Sequence, residues 1–238
     1  MPRFRNTKVA PKETKKDVLQ DDEIKRLKKI VKKIMPEVKY ITSNINQLTS
    51  SLVAVSNDWG GGGPIYLSGL TQGVGQTQRI GDRYRVTGLN LRLRLYNLGS
   101  VAAPSCNIRV VVVREYTCLG SLPSWTGIFQ GSANLGVINV RQQDSRNPDR
   151  YQVLYDQTFV LDSFSPATAA YNIFESGPGE KTININKKLN FVSDCSRATT
   201  SAITSCDTNS LSFGVFTDNA VANAFGVQYA FSMSYIDS

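Results

Sequence analysis

From residue 85 onward the chain repeatedly alternates apolar and polar residues with a period of two, the signature of strands with one buried face. In RVTGLNLRLRLYNL (85–98), Leu89, Leu91, Leu93 and Leu95 fall on one side and Asn90, Arg92, Arg94 and Tyr96 on the other. RYQVLYDQTFVLD (150–162) aligns Tyr151, Val153, Tyr155, Phe159 and Leu161. KTININKKLNFV (181–192) aligns Ile183, Ile185, Leu189 and Phe191, and LSFGVF (211–216) aligns Leu211, Phe213 and Val215. FGVQYAFSMSYI (225–236) puts Phe225, Val227, Tyr229, Phe231, Met233 and Tyr235 opposite Gly226, Gln228, Ala230, Ser232 and Ser234. Small residues on that second side point to close approach of another layer or another subunit. CNIRVVVVREY (106–116) is apolar on both sides, as a strand covered on both faces would be. Arg114 and Glu115 are adjacent in it, so they should point to opposite faces as separate charges rather than as a pair.

SLVAV (51–55), PIYL (64–67) and GVINV (136–140) complete eight or nine strands, separated by WGGGGP, TQGVGQTQ and SGPGEK. The expected body, residues 51–238, is all-β: a single antiparallel sandwich of jelly-roll type. GVG (73–75) has neither a third glycine at dinucleotide-loop spacing nor a following G-K-[ST], so it reads as an ordinary loop.

The front of the chain follows a different period. Ile24, Leu27, Val31 and Ile34 recur at helical spacing, with Ile30 beside them. Lys25, Arg26, Lys28, Lys29, Lys32 and Lys33 spread over the polar side. Asp21 or Asp22 is a candidate cap, Glu23 suits the helix start, and Pro36 ends the helix, which is therefore expected over 21–36. Residues 1–20 are charged and poor in apolar residues, the composition of a disordered arm, and 37–50 reads as a linker.

Charge sharpens this division. Residues 1–40 hold 13 Lys and Arg against 6 Asp and Glu, whereas residues 41–238 hold 14 against 13. The arm cations also include Arg3, Arg5, Lys8, Lys12, Lys15 and Lys16. A basic segment on a neutral body suits an anionic partner: nucleic acid, a membrane surface or the import machinery of the nucleus. Three roles for the helix stay open. It can be a solvated helix docked on the body. It can lie on a membrane, although its apolar stripe has no Trp or Phe. It can clamp phosphates while its stripe packs on neighbouring subunits. Only Phe4 and Tyr40 flank it, so nucleic-acid binding there should be to the backbone, tolerant of sequence and sensitive to salt.

The chain has no histidine. This removes Ser-His-Asp and Cys-His catalysis and the usual proton shuttle at neutral pH, and no carboxylate pair suggests a general acid and base. The expectation is therefore a protein that is not an enzyme. No run of 18 apolar residues marks a membrane span, and the N-terminus lacks the apolar core of a signal peptide. Cys106, Cys118, Cys195 and Cys206 form no C-x-x-C pair; gaps of 11 and 10 residues leave bridging open, and the plainer reading is reduced, buried thiols. No cofactor is indicated. Asp144, Asp149, Asp194, Asp207 and Asp218 are the candidate calcium ligands where subunits meet, against the alternative of solvated loop acids.

LSGLTQGVGQTQRIGDRYRVTGLNLRLRL (67–95) resembles the segment that opens the jelly roll in capsid proteins of small circular single-stranded DNA viruses. It is also similar to the coat proteins of satellite viruses of the tobacco necrosis type. Their Q-G…Q-R-x-G-D/N run reads here as Gln72-Gly73 and then Gln78-Arg79-Ile80-Gly81-Asp82. RYQVLYDQTFVL (150–161) and INKKLNFV (185–192) resemble later strands of the same families. The resemblance implies a virion protein that self-assembles into an icosahedral shell of 60 copies or a multiple. Its partner would be single-stranded nucleic acid, DNA favoured over RNA. It implies no membrane, and leaves the host receptor unknown and the host nucleus open as an assembly site. In the run itself, Arg79 either bonds neighbouring carbonyls, reaches across a subunit interface, or is a solvated loop residue. Arms in this group are often Arg-rich. This one is mostly Lys and is interrupted by Glu13, Asp17 and the acids at 21–23. The long loops 119–135 and 141–150 are the candidates for receptor contact. The reading from a different class is a cellular jelly-roll module that binds a carbohydrate or receptor, with a basic targeting tail; Trp59 and Trp125 are its only tryptophans.

Overall fold

The computed structural model describes residues 15–34, 37–43, 46–48, 64–97, 105–129, 147–162, 180–217 and 225–237. Two compact units divide the chain, Met1–Glu37 and Val38–Ser238. In the first, α1 runs over Lys15–Ile34. It begins six residues before the expected start. Residues 15–20 contain neither Gly nor Pro, and Lys, Leu and Gln propagate a helix readily once it is nucleated. The acids at 21–23 therefore lie inside the helix rather than at its cap. Asp22 pairs with Lys25 one turn on, at 3.5 Å.

Among the described residues, the second unit is built from β1 (Val38–Thr42), β2 (Asn46–Leu48), β3 (Ile65–Tyr66), β4 (Arg83–Asn97), β5 (Cys106–Thr117), β6 (Tyr151–Leu161), β7 (Lys181–Asp194), β8 (Thr208–Thr217) and β9 (Phe225–Asp237), with a short helix, α2 (Trp125–Ile128), and a 3-10 turn at Ile203–Ser205. Every strand pairing is antiparallel. The order is β1-β9-β4-β7-β8-β5-β6, with β2 also on β9 and β3 on β8. A single bridge, Asp194 to Thr208, links β7 to β8. The sheet folds over at that joint. Leu91 of β4, Val110 of β5, Ile185 of β7, Phe213 of β8 and Val227 of β9 then share one core. Phe213 packs edge-on against Tyr229 across the layers, with centroids 5.1 Å apart. The body is thus an all-β, antiparallel, sandwich-like fold.

Three local findings correct the sequence reading. The expected linker contains β1 and β2, both paired with the last strand. In β1, Lys39 is buried and Ile41 half-buried, while Val38, Tyr40 and Thr42 are exposed, a period of two too short to stand out beside the helix. In β6, Leu154 is an extra residue between the pairs Val112–Tyr155 and Val113–Val153. This bulge turns the strand over. Tyr155, Phe159 and Leu161 join the main core, whereas Tyr151 and Val153 join a second cluster outside β5. In β4, Thr87 is the extra residue, so Tyr84 and Val86 face inward along with Leu89, Leu91, Leu93 and Leu95.

The second cluster explains why β5 is apolar on both faces. Val111 and Val113 are covered by Ile128, Phe129, Tyr151 and Phe216. Part of the 119–135 loop is therefore packing against the body rather than open surface. The runs at 51–55 and 136–140 lie outside the described residues.

Candidate nucleic-acid interface

Of the expected phosphate-binding residues, Arg3, Arg5, Lys8 and Lys12 lie outside the described residues. Lys15, Lys16, Lys32 and Lys33 belong to α1. Lys25, Arg26, Lys28 and Lys29 are exposed on it. The Lys25–Asp22 pair is solvated on both sides and stabilises little. The stripe is equally open: Ile24 is 47% exposed and Leu27 54%. Val31 and Ile34 continue the same helix. Most helical stability in proteins comes from packing an amphipathic face, and Ile24, Leu27 and Ile30 on this one are exposed.

Of the readings open for Arg79, the structure shows the one in which it bonds carbonyls of its own chain. Its side chain is wholly buried. Nε donates to Leu70 O at 3.3 Å, and Nη2 donates to Cys195 O at 2.9 Å and Ala198 O at 2.6 Å. Nη1 donates to Gly81 O and faces Asp82 at 3.5 Å. One guanidinium thus ties the 70–82 loop to the segment that follows β7. The glycines of that loop are engaged in the same closure. Gly73 N–H donates to Arg79 O (2.9 Å) and Gly75 N–H to Gln78 Oε1 (3.0 Å), so these two amides are not free to cradle a phosphate. Lys39 fixes the edge strand beside this loop. It is buried, donates to Gln78 O at 3.1 Å and lies 2.6 Å from the Asp237 carboxylate.

The candidate calcium ligands have protein partners where they are described. Asp194 pairs with Arg83 at 2.8 Å, beside an open cavity that Asp82 and Ser196 also line. Asp207 accepts from Ser196 N–H (3.0 Å) and Ser196 Oγ (2.6 Å) and pairs with Arg197. Asp149 is exposed; Asp144 and Asp218 lie outside the described residues. Among the described residues, no three His, Cys, Asp or Glu side chains are grouped to hold a metal.

The Ser196 hydrogen bonds, with Arg197 adding to them, hold the Asp207 carboxyl below its usual range. A lowered carboxylate pKa adds stability above the ordinary value of about 4, and that stability is lost as pH falls through the lowered one. Asp207→Asn should therefore be less stable than the parent at pH 7, and the gap should close in acid. Urea midpoints at pH 7 and near pH 2.5 check this; a gap that stays constant would refute it.

Arg114 and Glu115 behave as separate charges. Arg114 donates to Asn209 Oδ1 at 2.9 and 2.7 Å and covers the Phe191 ring. Glu115 is fully buried and accepts from Arg150 at 2.8 Å. Burial pushes its carboxyl up against the pull of that arginine. Cys118, Cys195 and Cys206 are free and buried, with Cys118 Sγ 3.6 Å from Cys206 Sγ. The contact between Cys118 and Cys206 draws the Cys118 thiol down to about 7, while Cys206 keeps its proton far above the usual range. None of the three reaches the surface, so the trio is core rather than a reactive site.

The sequence reading missed a polar surface on the body. Arg92 and Lys188 are exposed, with no ion-pair partner among the described residues, and Tyr40 is 57% exposed beside the same layer. The alternation in β4, β7 and β9 was visible, but the register that gathers these residues was not. No helix among the described residues is long and apolar enough to cross a membrane. No protein-family model matches the chain, and no curated protein matches it either.

Proposed function

We propose that the chain is the coat subunit of a small icosahedral virus, which self-assembles into a shell and packages single-stranded nucleic acid through its basic front segment. The observation that carries this reading is the segregation of charge. A cationic helix, on which Ile24, Leu27 and Ile30 are exposed, ends at Ile34, and three residues further along the sequence separate it from the first strand, starting at Val38, of a nearly neutral antiparallel body. Two layers of antiparallel strands suit a jelly-roll shell domain, whose flat sides and loop-rich ends can pack around symmetry axes. In this reading the helix faces the genome, binds phosphates without reading bases, and buries its stripe on neighbouring arms or the inner shell. Sixty copies would bring roughly 420 positive charges, which neutralise only part of a kilobase-scale genome, so divalent cations or polyamines would assist. The subunit has no catalytic role, resides in the virion, and contacts host receptors through its long loops. DNA is favoured over RNA as cargo on resemblance alone.

Size-exclusion chromatography at 260 and 280 nm, with and without nuclease, tests the proposal together with negative-stain imaging of the leading peak. Uniform closed particles carrying nuclease-protected nucleic acid are expected. A small species free of nucleic acid, across several salt and calcium conditions, would overturn the proposal and favour a monomeric or trimeric binding module.

A further inference from the structure

Register decides which residues share the outward side of the β1-β9-β4-β7 layer. Tyr40 lies opposite Ser234, Ser234 opposite Gly88, and Gly88 opposite Lys188. The next row runs Thr42, Ser232, Asn90 and Asn186, and the third Ala230, Arg92 and Asn184. Directly paired residues project to the same side. Their alternates Leu89, Leu91, Met233 and Ile185 are buried, so these rows face out. In the first row the two middle residues, Ser234 and Gly88, are small and the flanking ones, Tyr40 and Lys188, are long. The result is an open trough of about 400 Å³ lined by Tyr40, Gly88, Asn90, Asn186, Lys188 and Ser232. Gly88 keeps its floor low, since a Cβ there would sit 2.9 Å from Ser234 Oγ. Tyr40 and Lys188 stand three strand spacings apart, about 14 Å, and the three rows extend about 14 Å along the strands.

Among the described residues of the three rows, the charged side chains, Arg92 and Lys188, have one sign. Arg92 and Lys188 lack an ion-pair partner among the described residues, and Arg85 is exposed with a long bond to Asn190 (3.4 Å). Three carboxylates at its margins are already paired: Glu180 with Arg94 at 2.6 and 2.8 Å, Asp194 with Arg83, and Asp237 with Lys39. An aromatic wall, two available cations and amide side chains on the floor form the combination that holds a nucleotide strand: ring for base, cation for phosphate, amide for base edge. A neutral sugar polymer would use the ring but not the cations. A second protein copy would favour an apolar centre over this polar one.

We propose that this trough binds two to three nucleotides of single-stranded nucleic acid, stacked on Tyr40 and held through phosphates by Lys188 and Arg92. The identity of the strand rests on the packaging reading, but the trough acts independently of the helix.

The test uses the full chain and a fluorescently labelled oligo(dT), with binding followed by anisotropy from 0.1 to 0.5 M salt. It is run in the parent and in a chain whose Lys25, Arg26, Lys28 and Lys29 are changed to Gln. Tyr40→Ala should weaken binding by about 5- to 100-fold in both backgrounds, the range expected for one lost base stack, and Tyr40→Phe should restore it. Arg92→Gln with Lys188→Gln should lower the salt slope by about 1.4 in both. All three positions are exposed, so urea midpoints should stay at the parent value. Trough variants that bind like the parent in both backgrounds would overturn the proposal. So would binding lost solely through the helix substitutions, or displacement of the oligonucleotide by a neutral glucan. Packaging that survives the helix substitutions while trough variants still lose affinity would reject the helix reading and leave the trough standing.

Discussion

Arg79→Ala should remove about 4 kcal/mol or more from the stability of the body, the exceptional end of the range for single substitutions. The guanidinium is fully buried and serves the carbonyls of Leu70, Gly81, Cys195 and Ala198. Each buried carbonyl left without a donor costs about 1–3 kcal/mol, and water entering the cavity recovers only part of that. The ordinary stability of a domain is about 5–15 kcal/mol, so the variant should be close to unfolding. Arg79→Met keeps most of the volume and removes the donors. It should be nearly as damaging as Ala if hydrogen bonding dominates. Arg79→Lys keeps the charge but offers a point donor instead of a planar fork, and should fall between. Urea denaturation followed by tyrosine fluorescence measures all three. An alanine variant within about 1 kcal/mol of the parent would show that the loop closes without this cross-link.

Carbonyl bonding was among the readings open for Arg79 in the sequence; that two of the carbonyls come from the far end of the chain was not legible, and the reason is sequence separation. Arg79 meets Cys195 and Ala198 across 116 and 119 residues of chain. A motif shows Gly81 and Asp82 nearby, but not the carbonyls brought in from the end of β7. The strands themselves were legible, because a sheet with one wet face writes its period into the chain. Where the period failed, a single inserted residue was responsible. Leu154 sends Tyr151 and Val153 to one side and Phe159 and Leu161 to the other. β1 was overlooked for another reason. It is five residues long, and its partner is the C-terminal strand. The trough combines both difficulties: Tyr40, Ser234, Gly88 and Lys188 form one row only when three registers are known.

The second large effect is expected at the helix. Changing Lys25, Arg26, Lys28, Lys29, Lys32 and Lys33 to Gln should reduce affinity for single-stranded nucleic acid about a thousandfold near 0.15 M salt, if each contacts one phosphate. The slope of log affinity against log salt should fall in magnitude by about 4, because each contact releases about 0.7 of a counterion from a single strand. The loss should be the same for oligo(dT) and for mixed sequence, since α1 contains no aromatic residue to stack on a base. Body stability should move by less than about 0.5 kcal/mol, as the described members of the set are exposed. Replacing Ile24, Leu27 and Ile30 by Ser separates the two sides of the helix. Those substitutions should impair particle assembly while leaving the salt slope of the free subunit intact, because the exposed stripe carries no charge. Unchanged affinity in the six-Gln chain would assign cargo binding to the body alone. Unchanged assembly in the three-Ser chain would leave the stripe a solvated face.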